Sequence, residues 1–316
     1  MLKTMKTMKN IIATLLLACF FAGIAGAQDT ETPKPPTANA NKSLLGYFIV
    51  EGSKPVTNPY EGGILIDNQT NVMPQANTLE FVIQHRFGSL ENGLSDLLGI
   101  YAAGANTRLA LNYTITDWAQ VGYGITKTNM LQDLSVKVNI LKQSRDNKSP
   151  VDVTYYGNFS INASEKDDFG ENYKFSNRAA FFNELMVTRK FCDWFTMTIG
   201  GSFTHFNQVD SLYEHDKIAL HFLGRIKFSP QSSVILNCDL PLKIDAIKEW
   251  SEFTNPPKYN FGIGYEVATA THTFQVFVGS GNFLVPQYNV MENQYEFFKG
   301  VDNIFIGFNI TRLWNF

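Results

Sequence analysis

From Leu79 onward, apolar and polar residues alternate in about twelve segments: 79–87, 106–115, 118–128, 132–143, 151–161, 178–191, 194–205, 216–228, 232–241, 258–268, 272–279 and 304–316. A period of two puts successive side chains on opposite faces, the requirement of a strand with one apolar face. Each segment is long enough to cross a bilayer when tilted. The last is the clearest: Ile304, Ile306, Phe308 and Ile310 alternate with Phe305, Gly307, Asn309 and Thr311, and the chain ends on Trp314-Asn315-Phe316. Aromatic side chains are at home at a membrane interface. Trp314 and Phe316 therefore read as a C-terminal assembly signal for the machinery that inserts outer-membrane barrels.

The connections support the same reading, because bacterial barrels alternate short periplasmic turns with longer outer loops. One pair is inverted: the outer connection 129–131 is shorter than the inner turn 144–150. The expected fold is all-β, a transmembrane antiparallel β-barrel of about 12 strands with up-and-down topology over 78–316. Leu79, Phe81 and Ile83, then Leu109, Leu111 and Tyr113, would face lipid. Their neighbours carry charge: Glu80, Arg86, Arg108, Lys137, Glu184, Arg225, Lys227, Asp239 and Glu266 are expected in the lumen. A charge facing lipid is costly, whereas in a lumen it can be hydrated or paired. Their signs balance, which suits either a lumen closed by ion pairs or a narrow polar conduit. Gly122, Gly124, Gly200, Gly201, Gly262, Gly264 and Gly307 are expected mostly on the inner face, where they would leave room for bulky lumen side chains or relieve strand curvature.

The start of the chain differs. Lys3, Lys6 and Lys9 precede an uncharged run from Ile11 to Phe21 and small residues at Ala25-Gly26-Ala27, the order of a secretory signal peptide over 1–27. Leu16-Leu17-Ala18-Cys19 offers a lipoprotein box as the alternative. Residues 28–42 are polar and proline-bearing, a disordered periplasmic segment. Residues 43–77 contain Leu44–Val50 and Ile64-Leu65-Ile66-Asp67 and need burial, as a lumen plug, a periplasmic cap or an extra hairpin.

Composition removes several function classes. The formal net charge of -3 leaves no basic stripe for nucleic acid. The 26 Phe and 13 Tyr spread through alternating segments suit an apolar band with aromatic girdles. Cys192 and Cys238 have no metal-ligand spacing, and no cofactor or metal site is expected. Gly122-x-Gly124 is not a nucleotide loop, since no helix follows it. Ser202 and the cluster Thr204-His205-Phe206-Asn207 have the residue types of a hydrolase, but His205 falls on the face opposite Ser202, so no enzyme is expected. In the loops, Leu94, Leu97, Leu98 and Tyr101 have helical spacing, and 282–300 interleaves aromatics with amides, suiting packing over the mouth or a polar ligand such as carbohydrate.

The segments HRFG (85–88), YFIV and LID in the early region, SPQSSVIL (229–236), HTFQVFVG (272–279), PQYN (286–289) and IGFNITRLWNF (306–316) resemble an uncharacterised outer-membrane β-barrel family of Bacteroidetes-type bacteria, a domain of unknown function. The resemblance covers approximately Gly46 to Phe316. It implies a barrel in the cell outer membrane and carries no activity or site residues with it. The expected partners are outer-membrane lipid, the barrel-assembly machinery and a small polar solute. The expected function is a small-solute channel or ligand-binding barrel, the alternative a non-conducting structural or assembly component that docks a partner.

Overall fold

The computed structural model describes residues 54–102, 104–210, 213–243 and 255–316. The expected signal peptide over 1–27, the 28–42 segment and the Leu44–Val50 run lie outside the described residues.

Twelve antiparallel strands close on themselves: β3 (Thr78–Ser89), β4 (Asn106–Thr116), β5 (Ala119–Thr126), β6 (Gln132–Leu141), β7 (Asp152–Ile161), β8 (Ala179–Cys192), β9 (Phe195–Phe206), β10 (Asp216–Lys227), β11 (Ser232–Pro241), β12 (Asn260–Ala268), β13 (His272–Gly279) and β14 (Phe305–Asn315). Each pairs with the next, and β14 pairs back onto β3, with Ile310 opposite Ile83 and Trp314 opposite Leu79. Closure leaves no ladder group unpaired at an edge, which a sheet in hydrocarbon requires. The seam holds one irregularity, between Phe305 and Gly307. Ile304, expected within the closing strand, stands outside it: it follows the 3-10 turn Val301–Asn303, and its carbonyl accepts the Leu90 N–H at 2.9 Å.

The two faces separate as the alternation demands. Leu111, Ile125, Leu134 and Val276 are about half exposed on the outside, a band of apolar surface that lipid covers. Trp194 and Phe228 lie in the short turns at the end of the barrel where β14 finishes, and Arg312 points outward over the Trp314 ring at 4.9 Å. Inside, the face is polar with exceptions: Tyr156, Phe182 and Met186 pack with Ala219, and Leu223, Ile235 and Phe277 form a second patch.

Short turns lie at one end and long connections at the other, and the inverted pair persists, 127–131 against 142–151. The longer turn has a task. Residues 54–57 run alongside it: Val56 N–H donates to the Gln143 carbonyl at 2.8 Å, Arg145 N–H donates to the Lys54 carbonyl at 2.9 Å, and Pro55 bridges Ser144. Among the described residues of the 90–105 loop, the 3-10 turn Gly93–Asp96 forms in place of an amphipathic helix. Leu97 and Leu98 adopt positive φ of 54° and 58°, which ends helical continuation, and Leu94 and Tyr101 stay exposed.

Glycines permit the tightest inner contacts. At Gly264 a Cβ would come within 2.4 Å of Phe277 Cβ and 2.7 Å of the Val276 carbonyl, whereas at Gly201 it would meet nothing within 4 Å. Gly264→Ala is expected to lower barrel stability by about 1–3 kcal/mol, as overpacking does, and Gly201→Ala to change it by less than about 0.5 kcal/mol. Urea midpoints of the refolded variants check this, and equal effects at the two sites would contradict it.

Candidate functional site

The polar inner face of the barrel is answered from within by residues 54–76. After its contact with the 142–151 turn, the chain rises into the lumen, turns at Ile66-Asp67 between β1 (Ile64–Leu65) and β2 (Asn68–Gln69), and returns to the start of β3. Its side chains and carbonyls reach wall residues around most of the circumference, from β3, β6, β10, β11, β12, β13 and β14. Residues 54–76 thus form a two-stranded hairpin inside the lumen that adds no strand to the barrel, and residues 43–53 lie outside the described residues.

Low in the lumen, Tyr60 Oη shares a hydrogen bond with Thr198 at 2.9 Å. The Glu61 carboxylate pairs with Arg225 and, at 3.2 Å, with Lys227. Arg225 also donates to the Asn58 and Pro59 carbonyls and contacts Glu266 at 3.3 Å. Lys137 donates to the Gly63 carbonyl at 2.9 Å. Any side chain at Gly63 would press on the Glu80 carboxylate at 2.9 Å, so a glycine allows this approach.

The tip carries the densest set of contacts. Arg86 Nη2 donates to the Asp67 carboxylate at 2.5 Å and to the Ile66 carbonyl at 3.1 Å, and its guanidinium lies over the Phe277 ring at 4.3 Å. Asn260 Nδ2 donates to the other Asp67 oxygen at 2.8 Å. Asn309 Nδ2 donates to the Ile66 carbonyl at 2.8 Å, and Ile66 N–H donates to Gln275 Oε1 at 3.1 Å. Asn68 donates to Asn237 at 2.6 Å and to Asp239. Ile66 holds a φ of 56°, which is rare for a β-branched residue and costs on the order of 1–3 kcal/mol. These contacts over-determine that conformation.

All nine lumen charges expected from the alternation lie on the inner wall. Glu80, Arg86, Arg108, Lys137, Glu184, Arg225, Asp239 and Glu266 are buried, and Lys227 is half-buried near the short-turn end. Arg86, Lys137, Arg225, Lys227 and Asp239 meet the hairpin directly. Arg108 instead makes a two-point pair with Asp133 within the wall, at 2.6 and 2.9 Å. The decisive partners Glu61, Asp67 and Asn68 were not singled out by the alternation, because they sit in a segment without strand periodicity.

A second unforeseen set lies within the wall beside the hairpin. His205 faces outward and bonds to Asp216 at 2.7 Å. His221 instead meets Ser202 Oγ at 2.7 Å through Nε2 and Asp239 Oδ1 at 2.8 Å through Nδ1. All three are buried, and Ser202 is mid-strand, opposite Ala219 in the β9–β10 ladder.

From the long-loop end, the 280–304 connection folds inward, and α1 (Pro286–Glu292) presents Gln287 to Asn158 and Ser160 at 2.8 Å each. Val290 joins the Tyr156–Phe182–Met186 patch, and Tyr288 stacks edge-on against Phe206 at 5.0 Å. The aromatic and amide residues of this loop thus pack over the mouth. A cavity of about 420 Å³ remains beside α1, lined by residues including Asn162, Arg178, Gln208 and Glu292. Burial pushes the Glu292 carboxyl up to about 7.

No curated protein matches the chain. Among solved structures it is similar to the COG4313 outer membrane channel from Pseudomonas putida F1, at 12% identity over 77% of this chain and 97% of that one, with a TM-score of 0.46. It is also similar to the NanC porin, at 9% identity over 75% and 99% with a TM-score of 0.45, and to the KdgM porin, at 7% over 76% and 99% with a TM-score of 0.42. A family profile described as "Membrane bound beta barrel domain (DUF5777)" matches residues 60–314, hairpin and barrel together. The chain belongs to that family and is a membrane-bound β-barrel.

Proposed function

We propose that the protein is an outer-membrane channel for a small polar solute, closed in this conformation by its own hairpin. The observation that carries the reading is the chemistry of the contact between hairpin and wall. It is made chiefly of ion pairs and hydrogen bonds, which water can replace when the hairpin leaves, with one small apolar patch around Tyr60, Leu65 and Ile66. A wall evolved only to be filled would be served as well by apolar packing, since replacing a buried ion pair by well-packed apolar residues is often neutral or stabilising. Short turns face the periplasm in this reading, so the hairpin enters from that side. The host is taken as a Gram-negative, Bacteroidetes-type bacterium on the motifs quoted above. The chain enters the membrane through the assembly machinery, reading Trp314 and Phe316.

We read Ser202–His221–Asp239 as a structural relay. The Ser202 strand spends its backbone N–H groups in the ladder, which leaves none for an oxyanion, and the hydroxyl is covered. A non-conducting structural or assembly barrel is the second reading, and the closure of the lumen from both ends favours it.

Arg86 and Asp67 are each about 1% exposed, so breaking the pair from one side leaves a buried charge without its counter-ion. Arg86→Met alone is expected to cost about 3–5 kcal/mol, and adding Asp67→Leu to recover most of that loss. Urea midpoints of the four proteins in the cycle check it, and additive losses would contradict the direct coupling. In planar bilayers the native chain is expected to hold a closed baseline, and the full-length Glu61→Gln/Asp67→Asn variant to open discrete channels. A closed baseline in that variant as well would contradict the channel reading and support the second one.

A further inference from the structure

The hairpin tip occupies the wall as a ligand would, with the Asp67 carboxylate and the Ile66 N–H and carbonyl each met by wall side chains. The Asp67 carboxylate is held by Arg86 Nη2 at 2.5 Å on one oxygen and Asn260 Nδ2 at 2.8 Å on the other. The preceding carbonyl, that of Ile66, accepts from Arg86 Nη2 and Asn309 Nδ2, and the Ile66 N–H donates to Gln275 Oε1. Gly281 stands against the Asp67 carboxylate, where any Cβ would come within 2.8 Å of Oδ2. The wall thus supplies a cation, three amide side chains and an open backbone position around the N–H and carbonyl of one residue and the carboxylate of the next.

Wall charges show which part of this cradle depends on the hairpin. Arg108 has Asp133, Arg225 has Glu266 and His221 has Asp239 as partners within the wall. Among the described residues, the carboxylate paired with Arg86 comes from the hairpin, and so does the one paired with Lys227. When the hairpin leaves, Arg86 faces the lumen with its counter-ion gone and with Phe277 stacked beneath it. Arg beside amide donors binds a planar carboxylate with directed hydrogen bonds, which a mobile Lys ammonium does not match.

We infer that the inner wall around Arg86, Asn260, Gln275 and Asn309 is a binding site for solutes that carry a carboxylate next to an amide, acidic peptides being the simplest class, and that the hairpin tip is an internal mimic of them. The site selects against cations, because Arg86 stands at its centre. It selects against simple anions such as chloride, because these offer no carbonyl to Arg86 Nη2 and Asn309 Nδ2 and no N–H to Gln275 Oε1, and so forgo the directed contacts that the tip makes there. The tip is a weak competitor by construction, since the Ile66 backbone holds a left-handed conformation that a free peptide need not adopt. A solute from the lumen therefore displaces the tip by taking over its contacts. This rests on the channel reading for its physiological meaning, but the site itself is testable apart from conduction.

The test uses the full-length Glu61→Gln/Asp67→Asn protein, with Asp67→Asn alone as a second variant that keeps the Glu61 anchor. The probes are acetyl-Ile-Asp amide and its uncharged isostere acetyl-Ile-Asn amide. Calorimetry in detergent is expected to give at least tenfold tighter binding of the acidic peptide, and Arg86→Gln in the same background to erase the difference. In bilayers, the acidic peptide is expected to block open channels at concentrations at least tenfold below the isostere. Equal binding of the two peptides, no binding of either, or a preference that survives Arg86→Gln would overturn the assignment. Selective binding to a variant that never conducts would uphold the site and overturn the channel reading.

Discussion

Charged side chains on the inner face of a closed barrel have to find partners, because the lumen of this chain is too narrow to leave them in bulk water once a hairpin shares it. Much of the arrangement follows from that requirement. The wall pairs Arg108 on β4 with Asp133 on β6, across Gly124 of the intervening β5, and the hairpin brings Glu61 and Asp67 to Arg225 and Arg86. The turn at 142–151 is long because it holds the chain where it enters, and Gly63 is a glycine because Glu80 lies against it. An isolated buried charge costs far more than its pairing gains, so these contacts specify where the hairpin sits more than they stabilise the barrel.

The strands were legible in the sequence because lipid on one side and a polar interior on the other force strict alternation. Leu109-x-Leu111-x-Tyr113 and Glu80-xxx-Gln84 spacing left little choice of face, and the twelve segments match the twelve strands to within a few residues. Where the inside is not water, alternation loses its meaning: Phe182, Met186, Leu223 and Phe277 are apolar yet point inward, packing against α1 or the hairpin. The hairpin itself was hidden for a local reason. Two-residue hairpin turns with positive φ usually carry Gly or Asn, and here Ile66-Asp67 makes the turn, held by side chains from distant strands. No short-range signal announces a turn that tertiary contacts impose.

The same reasoning explains the histidines. Ser202 and His205 are neighbours in sequence but opposite in face, whereas Ser202 and His221 are distant in sequence and adjacent across the β9–β10 ladder. Register, which the alternation pattern does not reveal, decides which inward residues meet. The long 280–304 connection behaves likewise. Its aromatic and amide groups are spent on closing the mouth, and Gln287 reaches Asn158 and Ser160 on β7. The barrel is thus shut by the hairpin from the short-turn end and by α1 from the other.

That the hairpin is bound to the wall as an ordered part of the folded barrel is the claim on which the functional reading stands, and amide hydrogen exchange in a lipid bilayer tests it most directly. Ile66 N–H bonds to Gln275 and Thr70 N–H to the Gly63 carbonyl at 3.0 Å, so both amides are expected to exchange as slowly as those of neighbouring wall strands. Exchange of these two amides at the rate of an open loop, with the wall still protected, would contradict it.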